Sequence, residues 1–433
     1  MKYSLYNSLL SVNPEQSLLY NATSDKFVYL KPNAERLLRT LSPEQLKDEH
    51  PALFSKLQEV EAVVDDSVDE AQELRKGILK SVNNEEFVEL QVNPTVDCNF
   101  RCWYCYENHV KGSRMQPEME RRVEGLMDRM AKEHPAMKHF HLSFFGGEPL
   151  MYFKTVARPL IEHLREVCGE RGAKMSVHFT SNAFLLNQTM LDTFRGLDVS
   201  FQITLDGGRT HHDRTRFMPN GKGSFDVIVQ HVRQLVDAGH RVILRINYTG
   251  ENVRSISDIA EALSDWPKAC FDHLNIDLQR VWQDSDNRYE DDEVSNLIKQ
   301  HIHTFTEMGI SVSYHKVMVG ARNVCYADRR NCLLVNYNGD VFKCTARDFS
   351  RENRSGILNE ASEVEWKEGI LERRARLVFN RPECHRCRIA PLCGGGCSQR
   401  ALERESMEGC LYGYSEEDMD NMILDRFEYM FLN

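Results

Sequence analysis

The chain has 433 residues, of which 41% are hydrophobic and 27% charged, an ordinary balance for a folded protein of two to four domains. Its net charge of -11 gives no basic footprint for nucleic acid. Its start, Met1-Lys2-Tyr3-Ser4-Leu5-Tyr6-Asn7, lacks the basic-then-apolar pattern of a secretory signal, and no apolar run is long enough to cross a bilayer. A cytoplasmic location is the expectation. The thirteen cysteines are then unlikely disulfide partners.

Residues 1 to about 85 read as a small separate domain. Tyr3 to Val12 and Ser17 to Leu30 are strand-like, divided by Asn13-Pro14. Leu53, Leu57 and Val60 then share one helical face, as do Val68, Ala71 and Leu74. Strands followed by short helices suggest a winged-helix-like module, with a plain extension packed on the next domain as the alternative.

From 86 to about 312 strand and helix signals alternate. The spacing predicts strands at Phe87–Asn93, His139–Phe145, Met175–Thr180, Val199–Leu205, Arg241–Tyr248 and His273–Leu278. Met119, Val123, Leu126, Met127 and Met130 form one apolar helical stripe between the first two, which reads as core packing. Repeated βα units imply a parallel sheet with helices outside. Six units fall short of a closed eightfold barrel, so the expected fold is α/β, a partial (β/α)6 TIM-like barrel. Asp284 to Asp292 reads as a solvated acidic loop.

Active-site residues of such barrels gather where strands end. Cys98, Cys102 and Cys105 follow strand one; Gly146-Gly147-Glu148-Pro149 ends strand two; Ser181-Asn182 ends strand three; Thr204-Leu205-Asp206-Gly207 ends strand four. Three closely spaced thiolates suit a 4Fe-4S cube with one iron left open, and an open metal position serves chemistry rather than stapling. A zinc knuckle and a chance cluster are the competing readings.

Residues 313–433 hold a second cysteine group, Cys325, Cys332, Cys344, Cys384, Cys387, Cys393, Cys397 and Cys410. Paired CxxC units also suit a zinc ribbon. Eight cysteines, however, supply two complete four-thiolate sites, and Gly394-Gly395-Gly396 lets backbone N–H groups approach cluster sulfurs. Cys168 and Cys270 stand apart and read as small buried hydrophobes.

The CxxxCxxC triplet with Tyr104 before its last cysteine, joined to the Gly-Gly-Glu-Pro turn and the Thr204-to-Arg216 run, resembles the core of the radical S-adenosylmethionine (SAM) enzymes over about 220 residues. The resemblance implies that the open iron chelates the amino and carboxylate groups of SAM. It further implies that Gly147 and Glu148 meet the methionyl amino group, that Tyr104 lies near the adenine, and that Thr204 and Arg216 bind SAM. Ser181 and Asn182 are ribose-side candidates. In that family a reduced cluster cleaves SAM, and the resulting 5′-deoxyadenosyl radical takes a hydrogen from the substrate.

The second cysteine group resembles the SPASM extension of these enzymes, which carries two auxiliary 4Fe-4S clusters, making three clusters in all. By that resemblance Cys325, Cys332, Cys344 and Cys397 hold one, and Cys384, Cys387, Cys393 and Cys410 the other. A flavodoxin- or ferredoxin-type electron donor is implied as well. Most such enzymes modify ribosomally made peptides or proteins. The branch that makes formylglycine in sulfatases has an aspartate after the cysteine that closes the Gly-x4-Cys unit; here Thr345 follows Cys344, and the nearest carboxylate is Asp348. A displaced base at Asp348 keeps that activity as the alternative. The N-terminal module favours a peptide maturase that captures a leader peptide on a sheet edge and forms a thioether or carbon–carbon cross-link. A multi-cluster electron carrier explains the cysteines but not the barrel motifs, and a zinc-stabilised binding protein explains only the second group.

Overall fold

The computed structural model describes residues 1–218, 220–284, 292–314, 324–404 and 408–432. They form two compact units: the described residues of Glu85–His315 with Asn331–Glu368, and those of Met1–Asn84, Lys316–Arg330 and Gly369–Phe431. The acidic loop expected after Asp284 falls at 285–291, outside the described residues.

The first unit is built on the strands Phe87–Val92, His139–Phe144, Lys174–Ser181, Val199–Leu205, Arg241–Tyr248 and Leu274–Arg280, each parallel to the next. These are the six strands expected from the sequence. The parallel run continues beyond them. Ser311–Tyr314 adds to the sixth strand, and Cys332–Val335 adds to the first. Three antiparallel strands, Asp340–Phe342, Gly356–Leu358 and Val364–Trp366, complete an eleven-stranded open sheet. Four-residue strands carry too little alternation to be read from sequence, and Cys332-Leu333-Leu334-Val335 is simply apolar.

Strands of parallel sheets usually read as continuous apolar runs because helices cover both faces. Here they alternate. Val88, Leu90, Val92, Phe140, Leu142, Phe144, Phe179, Phe201 and Ile203 are fully buried in the main core. The helix Pro117–Glu133 covers that side, burying Val123, Leu126, Met127 and Met130 as the stripe anticipated. Each such side chain contributes about 1.5–3 kcal/mol on burial. The intervening positions are polar and bond across strands. His141 Nδ1 meets Ser176 Oγ at 2.7 Å and His178 Nδ1 meets Ser200 Oγ at 2.9 Å, while along one strand Gln91 donates to Glu89 at 2.9 Å. One face therefore packs on helices while the other forms a polar wall.

In the second unit Asn7–Asn13, Gln16–Asn21 and Lys26–Leu30 make an antiparallel sheet. The stretch Ser17–Leu30, read as one strand-like run, is broken by a turn. Asn21 Oδ1 accepts the Thr23 and Ser24 N–H groups, both at 3.0 Å, and Asp25 takes a left-handed φ of 58°. The helices Pro32–Thr40, Pro43–Glu49 and Pro51–Glu59 follow, the last burying Leu53 and Leu57, with Val60 buried at its end. Glu70–Val82 buries Ile78 and Val82; Val68 lies just ahead of it, beyond the Asp69 cap. Tyr6, Leu10, Tyr20 and Ile78 share a core with Ile389, Leu392 and Ile423, so the first strands and the cysteine-rich segment fold together in this unit. Arg388 ties them, donating to Ser8 Oγ at 2.9 Å and Asp420 at 2.7 Å. Among the described residues no helix is long and apolar enough to cross a membrane.

Candidate functional site

The cysteine triplet sits on the loop leaving the strand Phe87–Val92. Asp97 organises that loop: its carboxylate accepts the N–H groups of Cys98 and Gly112, each at 2.8 Å, and Arg101 Nη2 at 3.2 Å. Burial opposes its ionisation, but the Gly112 and Cys98 amides and the Arg101 guanidinium outweigh it and hold the carboxyl below its ordinary range. Cys98 and Cys102 are half-buried and Cys105 is exposed. Burial, reinforced by Glu148, pushes the Cys98 thiol up to about 12; burial and Glu107 push Cys105 up to about 11. Burial raises Cys102 too, against the pull of Arg216. Such thiols become thiolates only beside added positive charge, which a metal supplies.

The Gly-Gly-Glu-Pro turn explains itself by packing. Gly146 has φ of 90°, and a Cβ there would meet Thr95 O at 2.4 Å. The Glu148 N–H donates to Asp97 O at 2.9 Å, so the turn is bonded flat against the cysteine loop. Glu148 itself is wholly buried. Its Oε1 accepts from Ser181 Oγ at 2.8 Å and the Leu150 N–H at 2.9 Å; its Oε2 accepts the Asn182 N–H at 2.8 Å. Burial raises its pKa in spite of these donors, of which the Asn182 amide pulls hardest the other way. Ser181 and the Asn182 amide are thereby engaged with Glu148. The Asn182 side chain faces the triplet, donating to Asn99 Oδ1 at 2.8 Å with Cys98 Sγ at 3.8 Å.

Tyr104 and Arg216 also come together. Arg216 Nη1 donates to the Tyr104 hydroxyl at 2.8 Å, and the guanidinium lies 5.9 Å from the Phe100 ring centroid. Thr204 stands on the strand Val199–Leu205, paired in register with Arg245. Sequence reasoning missed two acids here. Asp206, 2% exposed, accepts the Tyr104 hydroxyl, and the only signal was its place in the Thr-Leu-Asp-Gly run. Glu107 has an oxygen sealed from solvent with no hydrogen-bond partner among the described residues, and burial lifts its carboxyl to about 8. Asp348 lies beside the loop's tail: Asn108 donates to it at 3.1 Å, Asn353 also donates to it, and the neighbouring Tyr106 hydroxyl bonds Thr345 O at 2.8 Å.

The second cysteine group divides between the units. Cys332 is buried on its strand beside Gln91, and Cys344 is half-buried in the same unit. Cys325, Cys384, Cys387, Cys393, Cys397 and Cys410 belong to the other. Within it Cys384, Cys387, Cys393 and Cys410 are close enough to act on one another: burial and then Cys384 push Cys393 up to about 12, and burial and then Cys387 push Cys384 up to about 11. Gly394, Gly395 and Gly396 all take positive φ, and a Cβ on Gly396 would meet Leu411 at 2.9 Å. Among the described residues no three His, Cys, Asp or Glu side chains gather as they would round a single ion. A cube spreads its thiolates over separate irons, so the donor chemistry of these sulfur-only sets suits clusters. Cys168 and Cys270 are buried, as expected for core residues.

The chain is similar to several known proteins. Mycofactocin maturase MftC of Mycolicibacterium smegmatis is 24% identical over 326 residues, 70% of this chain and 76% of its own. A cysteine-type anaerobic sulfatase-maturating enzyme of Clostridium novyi is 25% identical over 141 residues, 32% of this chain and 37% of its own. The chain's match spans 39%, 37% and 41% of the length of the first curated relatives it resembles. The structure of native anSMEcpe with bound AdoMet and Cp18Cys peptide has the same fold, with a TM-score of 0.58, 17% identity, and coverage of 80% of this chain and 97% of that one. Residues 92–263 match the Radical SAM superfamily. That segment, which carries the cysteine triplet, Glu148, Asn182 and Arg216, is the part of the chain similar to this superfamily.

Proposed function

We propose that the chain is a radical SAM enzyme with auxiliary iron–sulfur clusters that modifies a ribosomally made peptide by forming a thioether or carbon–carbon cross-link. The observation that carries the reading is the meeting of Glu148, Asn182, Tyr104 and Arg216 around the loop of Cys98, Cys102 and Cys105. When bound, the clusters and SAM supply the radical that removes a substrate hydrogen and the acceptor for the second electron that cross-linking releases. The chain's own groups have separable tasks. Asp97 and the two glycines shape the cluster loop, Glu148 braces the loop against the third strand, and Arg216 offers a cation to an anionic ligand.

The auxiliary set Cys384, Cys387, Cys393 and Cys410 supports the multi-cluster reading, and MftC is itself a maturase. The antiparallel sheet of the N-terminal segment offers edge strands on which an extended leader peptide adds by main-chain hydrogen bonds. A cavity of about 680 Å³ beside it, lined by Tyr6, Val68, Leu74, Ile78 and Leu392, is suited to apolar side chains of such a peptide. Formylglycine formation on a protein Cys or Ser is the second reading, favoured by the carboxylate of Asp348 next to the tail of the cluster loop.

Anaerobic iron and sulfide analysis, with SAM cleavage under dithionite, tests the enzyme reading. Three cubes give about twelve irons per chain, and 5′-deoxyadenosine forms only while Cys98, Cys102 and Cys105 are intact. A zinc-only protein sinks it. Deleting residues 1–85 tests the recognition reading: unchanged affinity for a leader-bearing peptide refutes it.

A further inference from the structure

The phenol of Tyr104 stands at a node of buried charge. Its hydroxyl lies 2.7 and 2.8 Å from the two carboxylate oxygens of Asp206 and accepts from Arg216 Nη1 at 2.8 Å. Asp206 is 2% exposed and Arg216 8%. The residue just before a cluster cysteine is thus clamped to the end of the fourth barrel strand, 102 positions away in the chain.

The clamp is itself held. The Asp206 N–H donates to His212 Nδ1 at 3.3 Å, His212 Nε2 meets Ser224 Oγ at 2.9 Å, and that hydroxyl donates to Arg216 O at 2.5 Å. On the other side Gln283 Nε2 donates to Tyr104 O at 2.7 Å. Carboxylate and guanidinium are joined through the phenol, so neutralising the arginine and fixing the cluster loop are one act. Among the described residues Arg216 Nε is sealed from solvent and meets no partner. An unfilled buried donor is unfavourable, and an anionic ligand group would relieve it.

We infer that Asp206 is a positioning residue of the SAM site, fixing Tyr104, and through it the Cys105 loop and the Arg216 donor that meets a carboxylate of the ligand. The inference rests on the SAM reading proposed above. Asp206 acts through Tyr104 and Arg216.

Its test uses the full chain, reconstituted anaerobically, as wild type, Asp206→Ala, Asp206→Asn and Tyr104→Phe. SAM affinity is titrated, and the electron paramagnetic resonance spectrum of the reduced triplet cluster is recorded with and without SAM. Asp206→Ala and Tyr104→Phe are expected to weaken SAM binding about tenfold, the worth of one charge-assisted hydrogen bond, while Asp206→Asn, which keeps an acceptor, stays within about threefold. The spectral response to SAM should shrink in the same order. A merely structural role would lower iron content in all three without separating Asn from Ala at equal iron. Should Asp206→Ala fail to take up iron, Tyr104→Phe decides, because it breaks the same node and leaves the buried charges in place. Wild-type SAM affinity in Asp206→Ala or Tyr104→Phe at full iron overturns the inference. A wild-type protein that takes up iron but binds no SAM overturns the underlying ligand reading instead.

Discussion

An ideal Cβ on Gly147 would stand 2.0 Å from the carbonyl oxygen of Asp97. That contact is backbone on one side, so no rotamer change relieves it. Gly147→Ala must push the turn away from the cysteine loop, breaking the Glu148 N–H to Asp97 O bond of 2.9 Å. The expected cost is about 1–3 kcal/mol, read as a lower midpoint in thermal unfolding together with reduced iron uptake. An unchanged midpoint would show that the loop yields.

Glu148 accepts three donors and is wholly buried. Glu148→Gln replaces one acceptor oxygen by an amide donor facing donors. A loss of about 1–3 kcal/mol is expected in urea unfolding, the penalty of a buried polar group left unpaired. Glu148→Ala, which leaves all three donors unsatisfied, should lose more.

Acid should weaken the parallel sheet through a histidine. Burial, aided by His141, lowers His178 from its ordinary value to about 4. The unfolded chain takes up a proton near the usual histidine pKa of about 6.5, the native chain only near 4. Between those values the unfolded form holds more protons, so stability falls as pH falls and the loss is complete below 4. Denaturation midpoints across that window should slope less in His178→Asn, and an identical slope would assign the acid sensitivity elsewhere.

Removal of one auxiliary set should be countable. Cys384→Ser combined with Cys387→Ser is expected to lower iron from about twelve to about eight per chain, one cube fewer, while SAM cleavage at the triplet persists. Iron staying at the wild-type level would contradict the assignment of these thiols.

Arg388 bonds Ser8, Glu416 and Asp420 from a position that is 17% exposed. Arg388→Ala should raise amide hydrogen exchange in Asn7–Asn13 and leave Phe87–Val92 unaffected. Equal protection in both would mean that the apolar core around Tyr6 and Ile389 suffices to hold the strand.

The site was legible where chemistry dictates residue type. Cysteines in a fixed spacing, glycines ahead of an acid, and motifs at strand ends are compositional facts, and six strands followed from their alternation. Asp206 was not legible, because a lone acid in a turn sequence looks the same whether it caps a loop or holds a phenol. Glu107 was hidden for the reverse reason: its neighbours in sequence are polar or aromatic, and only folding seals its oxygen. The turn at Asn21–Asp25 did carry a signal, the polar run Asn21-Ala22-Thr23-Ser24-Asp25 between two apolar stretches, and reading Ser17–Leu30 as one strand-like run passed over it.

The polar face of the parallel sheet has a bearing on how such a protein can change. His141 depends on Ser176, and His178 on Ser200, across neighbouring strands. A substitution at one position strands its partner, so the tolerated changes come as couples drawn from adjacent strands. Variation along this wall should therefore be correlated across the sheet, whereas the apolar face, held only by volume, is free to drift one residue at a time.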